Sequence, residues 1–186
     1  MARIKVIEYE SASGRLKDIY DDLIAKRGRL AQVHTIQSLR PDSIVRHMDL
    51  YLEIMFTRSE LSRSQREMIA VIVSVENGCS YCQAHHSEAL NHYWKDSGRI
   101  ESLKKDIEAA QLNETDLALC QFASHLTLFP ADHESEDFTQ PLREHGFSDE
   151  AILDLVLVVA YFNFVNRIVL SLGLLPSEAE IRNYNY

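Results

Sequence analysis

The 186-residue chain is 46% hydrophobic, with 28 acidic against 19 basic residues and a net charge of −9. That is enough apolar content to bury a core in one domain, 1–186, without disulfide staples. The acidity, with no block of basic residues, argues against nucleic-acid binding.

The N-terminal stretch Met1 to Glu8 lacks the continuous apolar run of a secretory signal, so a cytoplasmic protein is expected. With 6 Gly and 4 Pro as punctuation, apolar residues recur at helical rather than alternating spacing, and the fold class expected is all-α. In chain order, helices are predicted at roughly 13–27, 42–57, 63–76, 79–97, 100–109, 114–128, 136–145 and 149–172. Ser62-Arg63-Ser64-Gln65 supplies a capping box for the third helix, and Asn77-Gly78 closes it. Ser97-Gly98 is expected to end the next helix in the same way. Ser148 with Asp149 and Glu150 opens the last long helix, and Gly173 followed by Pro176 ends it.

The most apolar segment, Leu153 to Leu175, has the length of a membrane span, but Asp154, Asn163, Asn166 and Arg167 interrupt it. It reads as a buried helix or a subunit interface, and no membrane is expected as a partner. The polar tail, 177–186, is expected to be loosely held.

Three cysteines, an odd number, make no disulfide framework, and Cys79 and Cys82 stand only two residues apart. In a cytosolic protein that spacing means redox chemistry or metal. On a helix, Cys79, Cys82 and His86 fall at i, i+3 and i+7, so both thiols and the imidazole share one stripe. Cα atoms one such turn apart are about 5–5.5 Å from each other, within the range a disulfide accepts. The first turn after Asn77-Gly78 also lies at the positive pole of a helix, which favours thiolate. His86, one turn past Cys82, is placed to act as general base. Glu67 shares a side of its helix with Val71, Ser74 and Val75, so its carboxylate is expected to point into packed structure, with His86 as its partner.

Blander readings stand beside these. The pair followed by His85-His86 could bind zinc, its short spacing resembling half of many zinc sites, although one helical stripe is a poor tetrahedral array. Both cysteines are also acceptable as small core residues. Glu67 can instead be an exposed i,i+4 partner of Arg63. His85 and His92 fall off the stripe and are expected at the surface. Cys120 is read as a core thiol, Trp94 as packing, and Asn163, Asn166 and Arg167 as a polar strip serving helix structure or a subunit contact.

Glu67, eleven residues, Cys79-Ser80-Tyr81-Cys82, three residues and His86 together resemble the active-site pattern of alkylhydroperoxidase D, in the carboxymuconolactone decarboxylase superfamily. Tyr161-Phe162-Asn163-Phe164-Val165-Asn166-Arg167, Leu172-Gly173 and Leu39-Arg40-Pro41 resemble its peroxidase-related branch. The resemblance implies that Cys82 meets the hydroperoxide substrate, that Cys79 resolves it, and that Glu67 and His86 relay protons. It also implies an external dithiol reductant such as a lipoyl-bearing protein and a trimeric or hexameric homo-oligomer; the dithiol reaction itself is expected to need neither cofactor nor metal. It departs at Tyr81, where the family has a histidine immediately before the second cysteine. Alternatives from other classes are a lactone decarboxylase, whose reaction requires no dithiol, and a non-catalytic redox-sensing or zinc-binding protein.

Overall fold

A computed structural model describes residues 2–181, and ten α-helices with three short 3-10 turns account for its regular structure, with no strand among the described residues. The helices are α1 (Gly14–Arg27), α2 (Gln32–Thr35), α3 (Pro41–Phe56), α4 (Arg63–Glu76), α5 (Ser80–Trp94), α6 (Ser97–Lys105), α7 (Glu114–Leu128), α8 (Gln140–Glu144), α9 (Asp149–Leu172) and α10 (Glu178–Ile181). The all-α expectation holds.

Helix α4 is the centre. Nine consecutive residues, Arg66 to Ser74, are buried, as a helix surrounded by others requires. Its start is fixed by the expected capping box: Ser62 Oγ accepts from Gln65 N while Gln65 Oε1 accepts from Ser62 N. Helices α5, α7 and α9 pack around it. Two arginines at its first turns close the C-terminal end of α3, where helix carbonyls lack partners. Arg66, itself buried, donates to the carbonyls of Ile54, Thr57 and Leu61, and Arg63 donates to that of Met55 at 2.6 Å.

Helix α9 is capped as expected, by Ser148 Oγ accepting from Ala151 N and by Gly173 at φ 75°, the left-handed backbone that glycine adopts without strain. By length and apolarity it could cross a membrane. Here Leu155, Val158, Val159, Phe162 and Val169 are buried, whereas Leu153, Leu157 and Phe164 form an exposed apolar stripe.

Several boundaries differ from expectation. Helix α5 stops at Trp94, and Ser97-Gly98 opens α6 instead of closing α5, because Lys95 takes the left-handed cap and Asp96 accepts from Arg99 N. Helix α6 ends at Lys105, since Asp106 turns the chain by accepting from Glu108 N. The helix expected over 136–145 is reduced to α8, whose start is set by Pro141: proline tolerates only a first turn. The short α2 was not anticipated.

The tail also differs. Residues 178–181 form α10, which brings a buried Glu180 against Gln32 and Tyr81. Residues 182–186 lie outside the described residues.

Candidate active site

Helices α4 and α5 form a hairpin joined by Asn77-Gly78-Cys79. Gly78, at φ 65°, reverses the chain, and Cys79 N then donates to Ser74 O at 2.8 Å. Cys79 becomes the N-cap of α5, with Cys82 in its first turn. Both are free thiols, 0% and 2% exposed.

The hydrogen bond from Cys82 holds the Cys79 thiol below its ordinary pKa against the cost of burial, helped by backbone N–H groups of Cys82 and Tyr81 at the helix start. Cys82 is pushed well above the ordinary value, first because it supplies that hydrogen bond and then by burial; Asn166 acts in the opposite direction. The two thiols thus share one hydrogen bond across the first turn of α5.

His86 lies on the next turn of α5. Its Nδ1 is 2.7 Å from Glu67 Oε2, while Arg63 donates to Glu67 Oε1, also at 2.7 Å. Glu67 is completely buried. The two partners weighed for it from sequence are thus both present, and the exposed version is incorrect. A carboxylate oxygen accepts only, so His86 Nδ1 carries the proton and Nε2 holds the basic lone pair of the neutral ring.

Cys82 and His86 line one cavity of about 80 Å³, enclosed by α1, α3, α5, α9 and the segment around α2. Cys79 and Glu67 are not among its lining residues; they stand behind Cys82 and His86 respectively. The structure thus brings Glu67 to His86 and Cys79 to Cys82, and puts Cys82 and His86 on a shared wall.

Other residues of this site were missed. Asn166, read as helix structure or a subunit contact, is fully buried, interacts with Cys82, donates to Ser74 Oγ at 3.3 Å and accepts from Asn77. Its i+3 spacing from Asn163 on an apolar helix was the available signal. His85, expected at the surface, is 4% exposed, donates through Nδ1 to the Tyr81 carbonyl and approaches Glu180 at 3.6 Å. His92 is exposed as expected. Tyr81 donates to Glu180, and both Tyr81 and His85 line the cavity. Burial raises the Glu180 carboxyl, but hydrogen bonds from His85, Tyr81 and Gln32 outweigh it and hold its pKa down to about 2. His47 and Tyr161 form a further cavity-side pair, His47 Nε2 to Tyr161 Oη being 2.7 Å. Cys120 is buried, and its thiol is pushed up by desolvation and then by the nearby Asp116 carboxylate. Among the described residues, no three His, Cys, Asp or Glu side chains converge as a metal-binding group.

Residues 43–101, which include Glu67, Cys79, Cys82 and His86, match the carboxymuconolactone decarboxylase family model. Over 97% of its length the chain superposes, at a TM-score of 0.85 and 26% identity, on 94% of a peroxidase-related protein from Ralstonia eutropha JMP134 with an alkylhydroperoxidase AhpD core. The family match and this neighbour support the carboxymuconolactone decarboxylase/alkylhydroperoxidase D superfamily for this chain. A second structure, a peroxidase-related protein from Silicibacter sp. TM1040, matches at a TM-score of 0.81 and 27% identity, covering 97% of each chain. The uncharacterized YdfG of Bacillus subtilis (strain 168) is 27% identical over 144 residues, which is 77% of this chain and 96% of that protein. Superfamily and neighbours together point to peroxidase-related or decarboxylase-like enzyme activity.

Proposed function

We propose that this superfamily member is a thiol-dependent hydroperoxide reductase, working through Cys82 and Cys79 with His86 and Glu67 as proton carrier and support. One observation carries the reading: Cys82, hydrogen-bonded to a second thiol, shares a cavity wall with an imidazole whose other nitrogen is bound to a buried carboxylate. Lactone decarboxylation has no use for that dithiol.

His86 Nε2 takes one proton from the thiol pair, and Glu67 stabilises the imidazolium that forms. The proton left between the two sulfurs is on Cys79 when Cys82, the thiol that faces the cavity, acts as the nucleophile. Its sulfur attacks the terminal oxygen of the hydroperoxide, forming an S–O bond as the O–O bond breaks. Sulfur is oxidised to sulfenic acid, and the departing alkoxide or hydroxide takes the proton from His86. Cys79 then attacks the Cys82 sulfur, releasing water and leaving a disulfide. An external dithiol of the lipoyl class returns the pair to thiols. A reducing cytoplasm suits that cycle, and the exposed stripe of Leu153, Leu157 and Phe164 on α9 suits a trimeric or hexameric assembly.

Thiol titration of purified protein before and after one equivalent of hydroperoxide, with zinc measured on the same sample, tests the reading. Loss of two thiols in zinc-free protein is the expected result. Unchanged thiols would remove the peroxidase function, and stoichiometric zinc would favour a metal-binding role.

A further inference from the structure

The wall of the cavity contributed by α3 and α9 carries its own polar array. It begins at Gln37, outside the cavity, whose Nε2 donates to the Val33 carbonyl at 2.8 Å. A carbonyl oxygen can only accept, so the orientation of the Gln37 amide is fixed by this bond. The same Nε2 lies 2.7 Å from His47 Nδ1, which must therefore accept. Burial keeps His47 neutral, with its pKa lowered to about 4. Its proton is then on Nε2, which donates to Tyr161 Oη at 2.7 Å.

The consequence falls on Tyr161. Its oxygen is already an acceptor from His47, so its own O–H is directed to a different acceptor. Tyr161 is 5% exposed, lines the cavity with Cys82, and lies close enough for charge on that sulfur to raise its pKa, although burial is the larger cause. It keeps its proton at neutral pH. A second polar atom in this cavity wall, His34 Nδ1, is buried with no protein hydrogen-bond partner among the described residues. The cavity wall thus carries polar groups of α2, α3 and α9 beside the Cys82 thiol and the His86 imidazole of α5.

We propose that Tyr161 is a catalytic residue that donates a hydrogen bond to the leaving oxygen of a hydroperoxide as its O–O bond breaks, with Gln37 and His47 as positioning residues that aim it. The inference rests on the hydroperoxide reading above. Tyr161 keeps its proton throughout: it stabilises the developing charge on the alkoxide, and the proton that completes the alcohol comes from His86. The substrate class this favours is an alkyl hydroperoxide, whose basic leaving oxygen gains most from a fixed donor.

The test compares two oxidants that differ in leaving group, tert-butyl hydroperoxide, which releases an alkoxide, and peracetic acid, which releases a weakly basic carboxylate. Cys82 oxidation is followed in single turnover. In Tyr161→Phe, the alkyl hydroperoxide reaction should slow by about 100-fold, the scale of one lost donor to a developing oxyanion, while the peracid reaction stays near the parent rate. Gln37→Leu lies outside the cavity, and it frees His47 Nδ1 to take the proton and turns the Tyr161 O–H toward Nε2. It should reproduce the same selective loss, and melting temperatures of both variants verify the fold. Equal slowing with both oxidants would reduce Tyr161 to a structural support of Cys82, and no slowing with either would overturn the proposal outright. A parent protein inert to both oxidants would instead remove the hydroperoxide reading, and the role of Tyr161 with it.

Discussion

His86 Nδ1 and Glu67 Oε2 lie 2.7 Å apart across the α4–α5 hairpin, with Arg63 bound to the other carboxylate oxygen. Replacing Glu67 by Gln keeps the shape but removes the charge that supports a protonated His86 and that pairs with Arg63. Oxidation of the thiol pair by hydroperoxide should slow by roughly 100-fold. Because Glu67 is fully buried, a stability loss of about 2 kcal/mol should accompany it. Stopped-flow rates across neutral pH and denaturant melts check both. An unchanged rate would leave Glu67 a structural residue.

The two cysteines should behave differently. Cys82 lines the cavity and Cys79 stands behind it. The Cys79→Ser protein should react once and stop at a trappable sulfenic acid on Cys82, over-oxidising in excess peroxide. Cys82→Ser should oxidise slowly and accumulate none. Sulfenic-acid trapping with peptide mapping reads the outcome, and trapping at Cys79 in the Cys82→Ser protein would reverse the roles.

Stability should fall between pH 6.5 and pH 5. His34 and His47 have pKa values lowered to about 3 and about 4, in both cases mainly by burial, against an ordinary 6.5. Over that window the unfolded chain binds protons and the folded one does not, so acid favours unfolding. The loss is about 2 kcal/mol per histidine by pH 5. Urea melts at the two pH values measure it, and His47→Gln should flatten the slope. A parent protein equally stable at both pH values would contradict the buried, neutral assignment.

Glu180 has the opposite pH signature. Its folded pKa, about 2, lies below the ordinary 4.5, so its contribution is complete above pH 4.5 and is lost as pH falls toward 2. Glu180→Ala removes the acceptor of Tyr81 and of both Gln32 donors, which should loosen α10 from Tyr81 in the cavity wall. A bulky aromatic disulfide reagent should then reach Cys82 about tenfold faster at neutral pH, a change of near 1.4 kcal/mol in opening. Parent-like reactivity would show that α10 does not control access.

The central motif was legible because its parts are local. Glu67, Cys79, Cys82 and His86 lie within twenty residues on two consecutive helices, and the 3.6-residue period fixes which of them share a face. Caps at Ser62 and Ser148 were equally local, each a side chain bonded three residues ahead. The errors share a cause as well. Ser97-Gly98 read as a stop because the pair permits a turn, but Asp96 beside it is the better N-cap, and the two readings use overlapping residues. His85 lies off the thiol stripe, yet Glu180, ninety-five positions away, covers it.

By itself, then, the sequence determined the helical class, the order of the main helices and the dithiol with its histidine and glutamate, since short-range periodicity and capping chemistry encode these. Tertiary structure alone decided what faces the sulfur. It placed Tyr161 and His47 in the same cavity wall as Cys82, set Asn166 beside Cys82, folded Glu180 over Tyr81, and left Cys79 behind its partner. The physical reason is that a cavity is the space left between packed faces. Its lining depends on the rotation and approach of helices distant in sequence, which no local pattern records.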